Sequence, residues 1–594
     1  MITTRPELLG HHGMVSSTHW LASTVAMSML DRGGNAFDAA VAGGLMLQVA
    51  EPHLNGPAGE VPVLTYDAAT DEVEVLAGQG PAPAAASITR FAELGLDRVP
   101  GTGLLAACVP AAFDTWMRLA QDRGRLRLRE LMEPAVTYAR RGVPVVEKLA
   151  ATLGAVEGLF REHWSTSEAL WLRGGLPRKG DWITNPILAD TYERILAEAE
   201  AVTSDRDGCF QAARDVFYRG FVAEEIDRWC RTTEHVDTSG RAHGGLLTGE
   251  DLSGFVVPVE APRSVEYHGW TVYKPDTWSQ APVFLQQLRL LEGLDLDGTA
   301  PDDPRFLHLV IEAAKLAFAD RESWYGDPRF ADVPIDALLS RAYADERRAL
   351  ITDEASMELR PGRPDGREPI LPPDLPEVEG SGSALGGVGE PTVTAKGRVT
   401  GDTCHIDVVD AEGNMVSATP SGGWLQSSPV IPSLGFALGT RGQMFWLDPD
   451  HPNALAGGKR PRTTLTCTLA RRDGRVRLAF GTPGGDRQDQ WSLIFFLRHV
   501  HHGLDLQEAI DAPTFNSDHA PSSFFPRGRS PGRMTVEDRF PTSTVDALVE
   551  RGHRVALAEP WSLGRISAVG ADGDPAPLKA AANPRGRQGY AVGR

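Results

Sequence analysis

The chain has 594 residues, of which 42% are hydrophobic, so it can bury a large core, although length alone leaves the number of domains open. Its formal net charge of −20 opposes general electrostatic binding to nucleic acid or to an anionic membrane. The N-terminal residues lack the apolar core of a secretory signal, and no later stretch has the length and hydrophobicity of a membrane span, so the sequence predicts a soluble, cytoplasmic protein.

Helical and strand periodicities alternate over the first part of the chain. In chain order they predict helices at 21–30 and 36–49, a hairpin of strands at 61–66 and 72–76, a mainly helical stretch from about 103 to 229, strands at 264–273, and helices at 281–291 and 304–324. Helices and hairpins in this arrangement are typical of a layered α+β domain.

A stretch rich in Pro and Gly, residues 359–400, follows these elements. Its composition predicts a flexible linker, because it has too little apolar surface to order itself. Directly after it, alternating apolar residues at 406–408 and 415–418 flank the turn 410–414 and predict a hairpin. Thr403 therefore lies where flexible chain meets the first residues of a strand.

Thr403 is the candidate nucleophile. A Thr hydroxyl is weakly nucleophilic at its ordinary pKa and needs a neighbouring base. If the chain is cut between Asp402 and Thr403, the new α-amino group can be that base, so one cut creates both groups. Position alone is equally compatible with an ordinary strand residue, since Thr is common in strands. The thiol of Cys404 is an alternative, but strand alternation favours a buried structural residue there.

A glycine pair, Gly484 and Gly485, stands between a predicted hairpin at 464–470 and 476–480 and a predicted helix near 487–500. Backbone N–H groups at a helix entrance can stabilise an oxyanion. A plain tight turn is the alternative interpretation.

The cysteines are widely spaced and form no cluster with the spacing of a metal site. The sequence therefore predicts neither disulfides nor a structural metal, and no organic cofactor is required. The five cysteines are Cys108, Cys209, Cys230, Cys404 and Cys467.

Several separate motifs occur in a fixed order. They are Gly33-Gly34-Asn35-Ala36-Phe37-Asp38-Ala39-Ala40, Glu51-Pro52-His53, Lys315-Leu316-Ala317-Phe318-Ala319-Asp320-Arg321, Gly326-Asp327-Pro328, Asp402-Thr403, Asp410-Ala411-Glu412-Gly413-Asn414, Lys459-Arg460-Pro461 and Pro483-Gly484-Gly485. In these motifs, from about Gly13 to the C-terminal region, the chain resembles the gamma-glutamyltransferase family of N-terminal nucleophile hydrolases. The resemblance implies an α+β fold, a four-layer αββα sandwich, made by a precursor that cuts itself into a large subunit, residues 1–402, and a small subunit, residues 403–594.

The resemblance also implies roles for individual residues. Thr463 and Thr464 fall where the family has a Ser pair that helps to hold the substrate carboxylate, although strand propensity explains them equally well. The implied catalytic residues are Thr403 as nucleophile, Ser421 as a hydroxyl that supports it, and Gly484 and Gly485 as the oxyanion hole.

The chain departs from the family at the positions that bind a γ-glutamyl group. Gln79 stands where the family has an Arg for the α-carboxylate. Gly423 replaces an Asn, and Trp446 replaces the acidic residue that meets the α-ammonium group. Gln443, three residues before Trp446, is a further substrate-binding candidate. A Gly-rich run is also altered, at 54–60. Each lost charge-assisted hydrogen bond is worth about 1.5–3 kcal/mol, so a γ-glutamyl ligand should bind weakly unless other groups replace these anchors.

Aromatic residues and Arg residues could form a substrate pocket in place of the lost γ-glutamyl anchors. The aromatic and Pro residues that predict either a more apolar pocket wall or plain core packing are Trp424, Pro429, Pro432, Phe445 and Trp446. The Arg residues that could replace the lost cation are Arg441, Arg460 and Arg487.

The sequence therefore predicts a self-processing enzyme in which Thr403 attacks an acyl carbonyl, usually of an amide, and passes the acyl group to water or an amine. By default the resemblance implies γ-glutamyl hydrolysis or transfer, as in glutathione metabolism. One alternative is a family branch that acts on oxamate, on a cephalosporin side chain, or on a C–C bond next to an oxo acid in secondary metabolism. Another is a non-catalytic binding or scaffold relative that stays uncut. The expected assembly is the two subunits from one precursor, with a homodimer of these left open.

Overall fold

A computed structural model describes residues 3–371, 377, 403–572 and 577–594. Asp402, one side of the predicted cleavage site, lies outside the described residues, as does the predicted linker beyond residue 371 except for Glu377. No helix in the described ranges is long and apolar enough to cross a membrane. The cysteines are all buried and free.

The strands of the described ranges, numbered in chain order, are β1 (Leu8–Gly10), β2 (Gly13–Ser17), β3 (Val63–Asp67), β4 (Glu72–Leu76), β5 (Val143–Pro144), β6 (Trp182–Ile183), β7 (His235–Val236), β8 (Ala242–His243), β9 (Val259–Glu260), β10 (Arg263–Tyr267), β11 (Trp270–Lys274), β12 (Ile406–Asp410), β13 (Met415–Ala418), β14 (Thr468–Arg472), β15 (Arg475–Gly481), β16 (Phe515–Ser517), β17 (Arg533–Glu537), β18 (Arg554–Ala558), β19 (Ser567–Ala571), β20 (Leu578–Ala582) and β21 (Tyr590–Gly593).

The α-helices are α1 (Trp20–Asp31), α2 (Ala36–Ala50), α3 (Ile88–Glu93), α4 (Ala112–Arg123), α5 (Leu128–Arg141), α6 (Glu147–His163), α7 (Ser165–Trp171), α8 (Pro186–Val202), α9 (Arg206–Tyr218), α10 (Phe221–Thr232), α11 (Gly249–Ser253), α12 (Pro282–Leu291), α13 (Pro304–Trp324), α14 (Ile335–Leu338), α15 (Arg341–Arg348), α16 (Gln488–His502), α17 (Leu506–Asp511) and α18 (Thr542–Glu550). Short 3₁₀ helices cover Pro364–Gly366, Arg441–Met444 and Gly485–Arg487.

Two seven-stranded antiparallel sheets form the centre of the molecule. The first has the order β1-β20-β19-β15-β14-β11-β10, and the second has the order β21-β2-β12-β13-β3-β4-β9. Each sheet combines strands from both sides of Thr403: β12 pairs with β2 on one edge and with β13 on the other, and β14 pairs with β11. The two parts of the chain are thus interleaved strand by strand.

Three apolar layers hold the sheets and helices together. Buried side chains from the facing surfaces of the two sheets, among them Leu64, Val409 and Leu469, form one cluster. The outer face of the second sheet packs on α1 and α2, and the outer face of the first packs on α12 and α16. The predicted four-layer αββα sandwich is confirmed.

Helix α2 is tied to the strand hairpin that follows Thr403. The Asn35 side chain accepts hydrogen bonds from the N–H groups of Phe37 and Asp38, and Asp38 accepts one from the Asn35 N–H, which completes a capping box. Asp410, at the end of β12, accepts a hydrogen bond of 2.9 Å from the N–H of Ala36. The start of the helix and the turn of the hairpin therefore fix each other.

Two boundaries differ from the prediction. The strand predicted from residue 464 begins at Thr468, because Thr463 instead bonds by its backbone to Trp278 and Gln280. The predicted flexible linker is ordered at its start, since the N–H of Gly362 donates to Asp320 at 2.7 Å and its carbonyl accepts from Trp324 at 3.2 Å. The start of the predicted linker is therefore packed around Gly362 and Pro364, whereas residues 365–368 are exposed.

Gly44 in α2 and Gly158 in α6 provide a test of this packing. A Cβ at Gly44 would lie 2.3 Å from the Trp116 ring on α4, whereas a Cβ at Gly158 would have no atom within 4 Å. We expect Gly44→Ala to lower the free energy of unfolding by about 1–3 kcal/mol through overpacking. Gly158→Ala should raise it by about 0.5–1 kcal/mol through helix propensity. Urea denaturation measures both, and equal effects would contradict the packing of α2 on α4.

Candidate active site

Thr403 is fully buried just before β12, and its backbone forms an isolated antiparallel bridge with Ser421. The pairing continues into the hairpin, because the N–H of Cys404 donates to the carbonyl of Pro420 at 2.9 Å. The two hydroxyl oxygens, Oγ1 of Thr403 and Oγ of Ser421, lie 3.3 Å apart. The extension of the β12–β13 pairing thus brings together the first two residues of the predicted catalytic set.

A buried ion pair stands behind Ser421. Arg441 donates from Nη2 to the Ser421 Oγ at 2.9 Å and from Nε to the carboxylate of Glu60. The backbones of Glu60 and Ser421 exchange two hydrogen bonds, each of 2.9 Å. Sequence reasoning proposed Arg441 as a cation but missed Glu60, whose signal was the altered Gly-rich run at 54–60. Of the candidate replacement cations, Arg441 contacts the supporting hydroxyl directly.

The backbone next to Ser421 requires glycine. Gly422 has φ +71°, and a Cβ there would lie 2.4 Å from the Glu60 carboxylate oxygens. Gly423 has φ +62°, and a Cβ there would come within 3.1 Å of the Gly59 nitrogen. Gly423 therefore provides close backbone approach, and the polar anchor that the family has at this position has no counterpart here.

Arg565 connects the segment of Thr403 to the loop that carries the glycine pair. Its Nη2 donates to the Thr403 carbonyl at 3.3 Å, and its backbone N–H donates to Thr482 Oγ1 at 3.0 Å. Thr482 lies two residues before Gly484. Sequence reasoning missed Arg565, since it lies outside every motif and only the fold brings it to this place.

The glycine pair has the geometry of a helix entrance. Gly484 has φ +140° and Gly485 φ +55°, and a Cβ at Gly484 would lie 2.3 Å from the Trp491 ring. Gly485 begins a 3₁₀ helix that leads into α16. The carbonyl oxygens accept from Arg487 and Gln280, but no described residue accepts a hydrogen bond from either glycine N–H. Both N–H groups therefore resemble the unsatisfied donors at a helix start, which bind anions.

Gln280 joins the Thr pair to this glycine loop. Its backbone N–H donates to the Thr463 carbonyl at 2.8 Å, and its Nε2 donates to the Gly485 carbonyl at 3.3 Å. The Thr463 hydroxyl accepts from the N–H of Leu465. The hydroxyl of Thr464 is buried and has no partner among the described residues. Of the two, Thr464 offers the available hydroxyl.

Gln79 and Gln443 lie in different surroundings. Gln79 lines a cavity of about 170 Å³ with Arg329 and Arg460, and its Oε1 has no described partner. Gln443 donates to the Gly101 carbonyl at 3.1 Å and accepts from the Phe525 N–H at 3.2 Å. Gln443 thus links loops. No described contact joins Gln79 to Thr403.

The other two predicted replacement cations are, like Arg441, paired with carboxylates. Arg460 pairs with Asp327 at 3.0 Å and with Glu260 at 2.7 Å, and Arg487 pairs with Asp518 at 2.7 Å.

The proposed apolar wall divides into several environments. Phe445 packs in an apolar cluster, as plain core packing predicts. Trp424 lies under the guanidinium of Arg441, with 5.1 Å between the Arg441 Cζ and the ring centroid. Trp446 instead donates from its indole N–H to Glu322 at 3.0 Å. The wall is therefore partly polar at Trp446 and cationic at Trp424.

Glu322 is the centre of a buried charged cluster. It pairs with Arg462 at 2.8 Å and with Arg321 at 3.4 Å, and Arg321 also pairs with Asp486, the residue after Gly485. Burial raises the pKa of Glu322, but the two guanidinium groups outweigh burial and lower that pKa to about 2. The carboxylate is therefore charged at neutral pH.

Two other groups hold potential metal-binding atoms close together, His268 with Asp297 and His501, and His308 with Glu312 and His553. In the buried group the ring nitrogens of the two His residues bond each other at 2.9 Å, and Lys315 donates to Glu312 at 2.6 Å. Sequence spacing gave no sign of either group, because both are assembled by the fold.

Two antiparallel sheets between helical layers are the architecture of the N-terminal nucleophile hydrolase class. The sequence profile described as Gamma-glutamyltranspeptidase matches residues 22–593, and the chain belongs to this family. The solved structure of LmbA2991HD is 52% identical, with a TM-score of 0.94 over 100% of both chains. Cephalosporin acylase from Bacillus halodurans is 27% identical, with a TM-score of 0.82 over 100% of this chain and 97% of that one. The Glutathione hydrolase-like YwrD proenzyme of Bacillus subtilis (strain 168) is 30% identical over 99% of each chain. The predicted family is confirmed.

Glu322→Gln tests the charged cluster. Because the variant leaves Arg462 and Arg321 without their carboxylate, we expect it to lose about 3–5 kcal/mol of unfolding free energy at pH 7. The depressed pKa means that this contribution is complete above the ordinary value of 4.5 and is lost as the pH falls towards 2. Urea unfolding at pH 7 and pH 3 should therefore show a smaller gap between variant and wild type at pH 3. Glu93→Gln, an exposed helix carboxylate, is the control. A gap independent of pH would contradict the pairing.

Proposed function

We propose that the protein is a self-processing acyl hydrolase whose nucleophile is the hydroxyl of Thr403. The observation that carries this proposal is the placement of Thr403 Oγ1 3.3 Å from Ser421 Oγ, at the end of a strand pairing that rigidly orients both groups. The N–H groups of Gly484 and Gly485, which have no acceptor among the described residues, support it, as does the family to which the chain belongs. The relatives named as proenzymes support maturation by cleavage.

Maturation uses the same hydroxyl as turnover. Thr403 Oγ1 attacks the carbonyl carbon of Asp402, the C–N bond to Thr403 breaks, and the nitrogen takes a proton to become an amine. Water then hydrolyses the resulting ester and restores the hydroxyl. The products are chains 1–402 and 403–594, which remain together through the interleaved sheets.

In turnover the freed α-amino group of Thr403 accepts the hydroxyl proton as Oγ1 attacks the substrate carbonyl. The N–H groups of Gly484 and Gly485 stabilise the tetrahedral oxyanion, a contribution of about 2.7–4 kcal/mol for one such donor in other enzymes. The leaving group departs with the proton, and water or an amine then releases the acyl group from Thr403.

The Glu60–Arg441 pair orients the Ser421 hydroxyl. An Arg side chain can only donate hydrogen bonds, so the Ser421 oxygen accepts from Arg441 and its own proton can be donated to Thr403 Oγ1. A donor at this position stabilises negative charge as it develops on the nucleophile. Glu60, which holds Arg441, is a positioning residue in this arrangement.

The acyl donor we propose is one other than γ-glutamyl. Gln79 carries no charge, and both cations that line its cavity are already paired, Arg329 with Asp327 and Arg460 with Asp327 and Glu260. An unpaired cation for a γ-glutamyl α-carboxylate is therefore absent among the described residues of this cavity. A similar protein is named as a cephalosporin acylase, which supports an amide donor of another kind. A C–C bond next to an oxo acid is the second candidate, since the same nucleophile and oxyanion hole serve both reactions.

Intact mass under denaturing conditions tests the nucleophile. We expect wild type to give two chains that divide between Asp402 and Thr403, and Thr403→Ala to give one full-length chain, because the variant lacks the attacking oxygen. Thr463→Ala is a matched control and should be cut normally. One full-length chain in wild type would instead favour the non-catalytic scaffold.

A double-mutant cycle on self-cleavage tests the role of Arg441. If Arg441 acts through Ser421, both Arg441→Gln and Ser421→Ala should slow cleavage, by about 10- to 100-fold if one charge-assisted hydrogen bond is lost. The double variant should be no slower than Ser421→Ala. Arg214→Gln, which breaks the distant buried pair with Asp114, should cleave at the wild-type rate. Additive effects of Arg441 and Ser421 would show that Arg441 acts by another route.

A further inference from the structure

Arg527 is a buried cation that forms no ion pair with the residues that the structure describes. Its side chain is 2% exposed, and the carboxylate of Glu322 is paired with Arg321 and Arg462 rather than with Arg527. Its Nη2 donates to the carbonyls of Gln443 and Phe445, at 3.2 and 3.1 Å, while Nη1 is buried and has no hydrogen-bond partner among the described residues. A buried charge in this state is costly, and proteins normally pair or coordinate it. Glu322 and Asp486 favour its charge from beyond ion-pair distance, but among the described residues Nη1 is left without an acceptor, which a ligand anion could provide.

The guanidinium of Arg527 stacks on the ring of Trp446, with 3.8 Å between Cζ and the ring centroid. Trp446 occupies the position at which the family has the acidic residue that meets a substrate ammonium group. In this chain the acid is replaced by an indole that carries a cation on its face. Trp446 therefore has a cation on its face, in addition to the Glu322 carboxylate that accepts from its indole N–H.

The buried charged groups around Trp446 have a net positive charge. Arg321 and Arg462 are balanced by Glu322 and Asp486, so Arg527 is the cation left over in this group. The neighbouring His451 adds no charge at neutral pH, because burial lowers its pKa to about 3. A second cationic group on a ligand would meet repulsion here, and a carboxylate would meet attraction.

The loop that carries Arg527 is fastened to the glycine loop. Asp486, which follows Gly485, accepts hydrogen bonds from the N–H and the hydroxyl of Ser523, at 2.9 and 2.6 Å. At its other side the Phe525 N–H donates to Gln443 at 3.2 Å. Arg527 is thus held at a fixed position on a loop that contacts the proposed oxyanion hole.

We propose that Arg527, stacked on Trp446, binds a carboxylate of the acyl donor in the place where γ-glutamyl enzymes bind an ammonium group. The preferred donor is an acyl chain that carries a carboxylate and lacks an α-amino group. This inference rests on the proposed function and specifies its substrate class. Nη1 supplies the charge-assisted hydrogen bond, and stacking on Trp446 orients the planar guanidinium and shields it from water.

Binding of small acids by the cleaved protein tests the proposal without turnover. Isothermal titration with glutarate, L-glutamate and pentanoate compares a dicarboxylate, the same chain with an α-ammonium group, and the same length with one carboxylate. We expect glutarate to bind at least tenfold more tightly than the other two. Arg527→Gln should remove this preference. Glutarate binding that is no tighter than that of L-glutamate in wild type, or equal in Arg527→Gln, would overturn the proposal.

Two further variants keep the test decisive if Arg527→Gln misfolds or if glutarate binds at another site. Trp446→Asp places a carboxylate beside Arg527, so glutarate binding should weaken at least tenfold and L-glutamate binding should tighten; it replaces Arg527→Gln if that variant does not fold. Arg460→Gln tests the cavity at Gln79 as a rival binding site. If Arg460→Gln loses glutarate binding while Arg527→Gln and Trp446→Asp keep it, the role of Arg527 is refuted. Intact mass is measured on each sample. An uncut wild-type chain would refute the proposed function, whereas a cut chain without glutarate preference refutes this inference alone.

Discussion

Ser421 is bonded through its backbone to two segments at once, to Thr403 by an isolated bridge and to Glu60 by two hydrogen bonds. This pairing determines where the nucleophile lies, because it places the two Cβ atoms side by side and so brings both hydroxyl groups within reach of each other. It also dictates the neighbours: Gly422 must lack a Cβ because the Glu60 carboxylate occupies that space. Glu60 in turn is tolerated in the interior because Arg441 neutralises it.

Local signals in the sequence were sufficient to predict much of this frame. Helix α2 was expected at 36–49 and spans Ala36–Ala50, since its capping residues and apolar period are all within the segment. The hairpin after Thr403 was likewise expected from strand alternation around a turn. The glycine pair could be identified from the sequence because backbone positions with positive φ are usually occupied by glycine.

Contacts between distant residues could not be predicted in the same way. Glu60 and Arg441 are 381 residues apart, and Arg565 and Thr403 are 162 apart. An Arg in a sequence is by default a surface residue, so nothing local distinguishes Arg565 or Arg527 from the exposed Arg residues of the chain. The sequence identified Trp446 as a departure from the family. It could not show that the indole is covered by a cation, because Arg527 comes from a distant loop that packs over the ring.

The interleaved sheets give the proposed cut a consequence for folding. The intact precursor can form its sheets as a single molecule, at a rate that does not depend on how much protein is present. Once the bond before Thr403 is broken, the same native contacts connect two molecules, so recovery after denaturation becomes bimolecular and must compete with aggregation of exposed strands. The persistence of the mature protein would then be governed by its rate of unfolding rather than by an equilibrium. The chain would have one efficient opportunity to fold, before it acquires its reactive terminus.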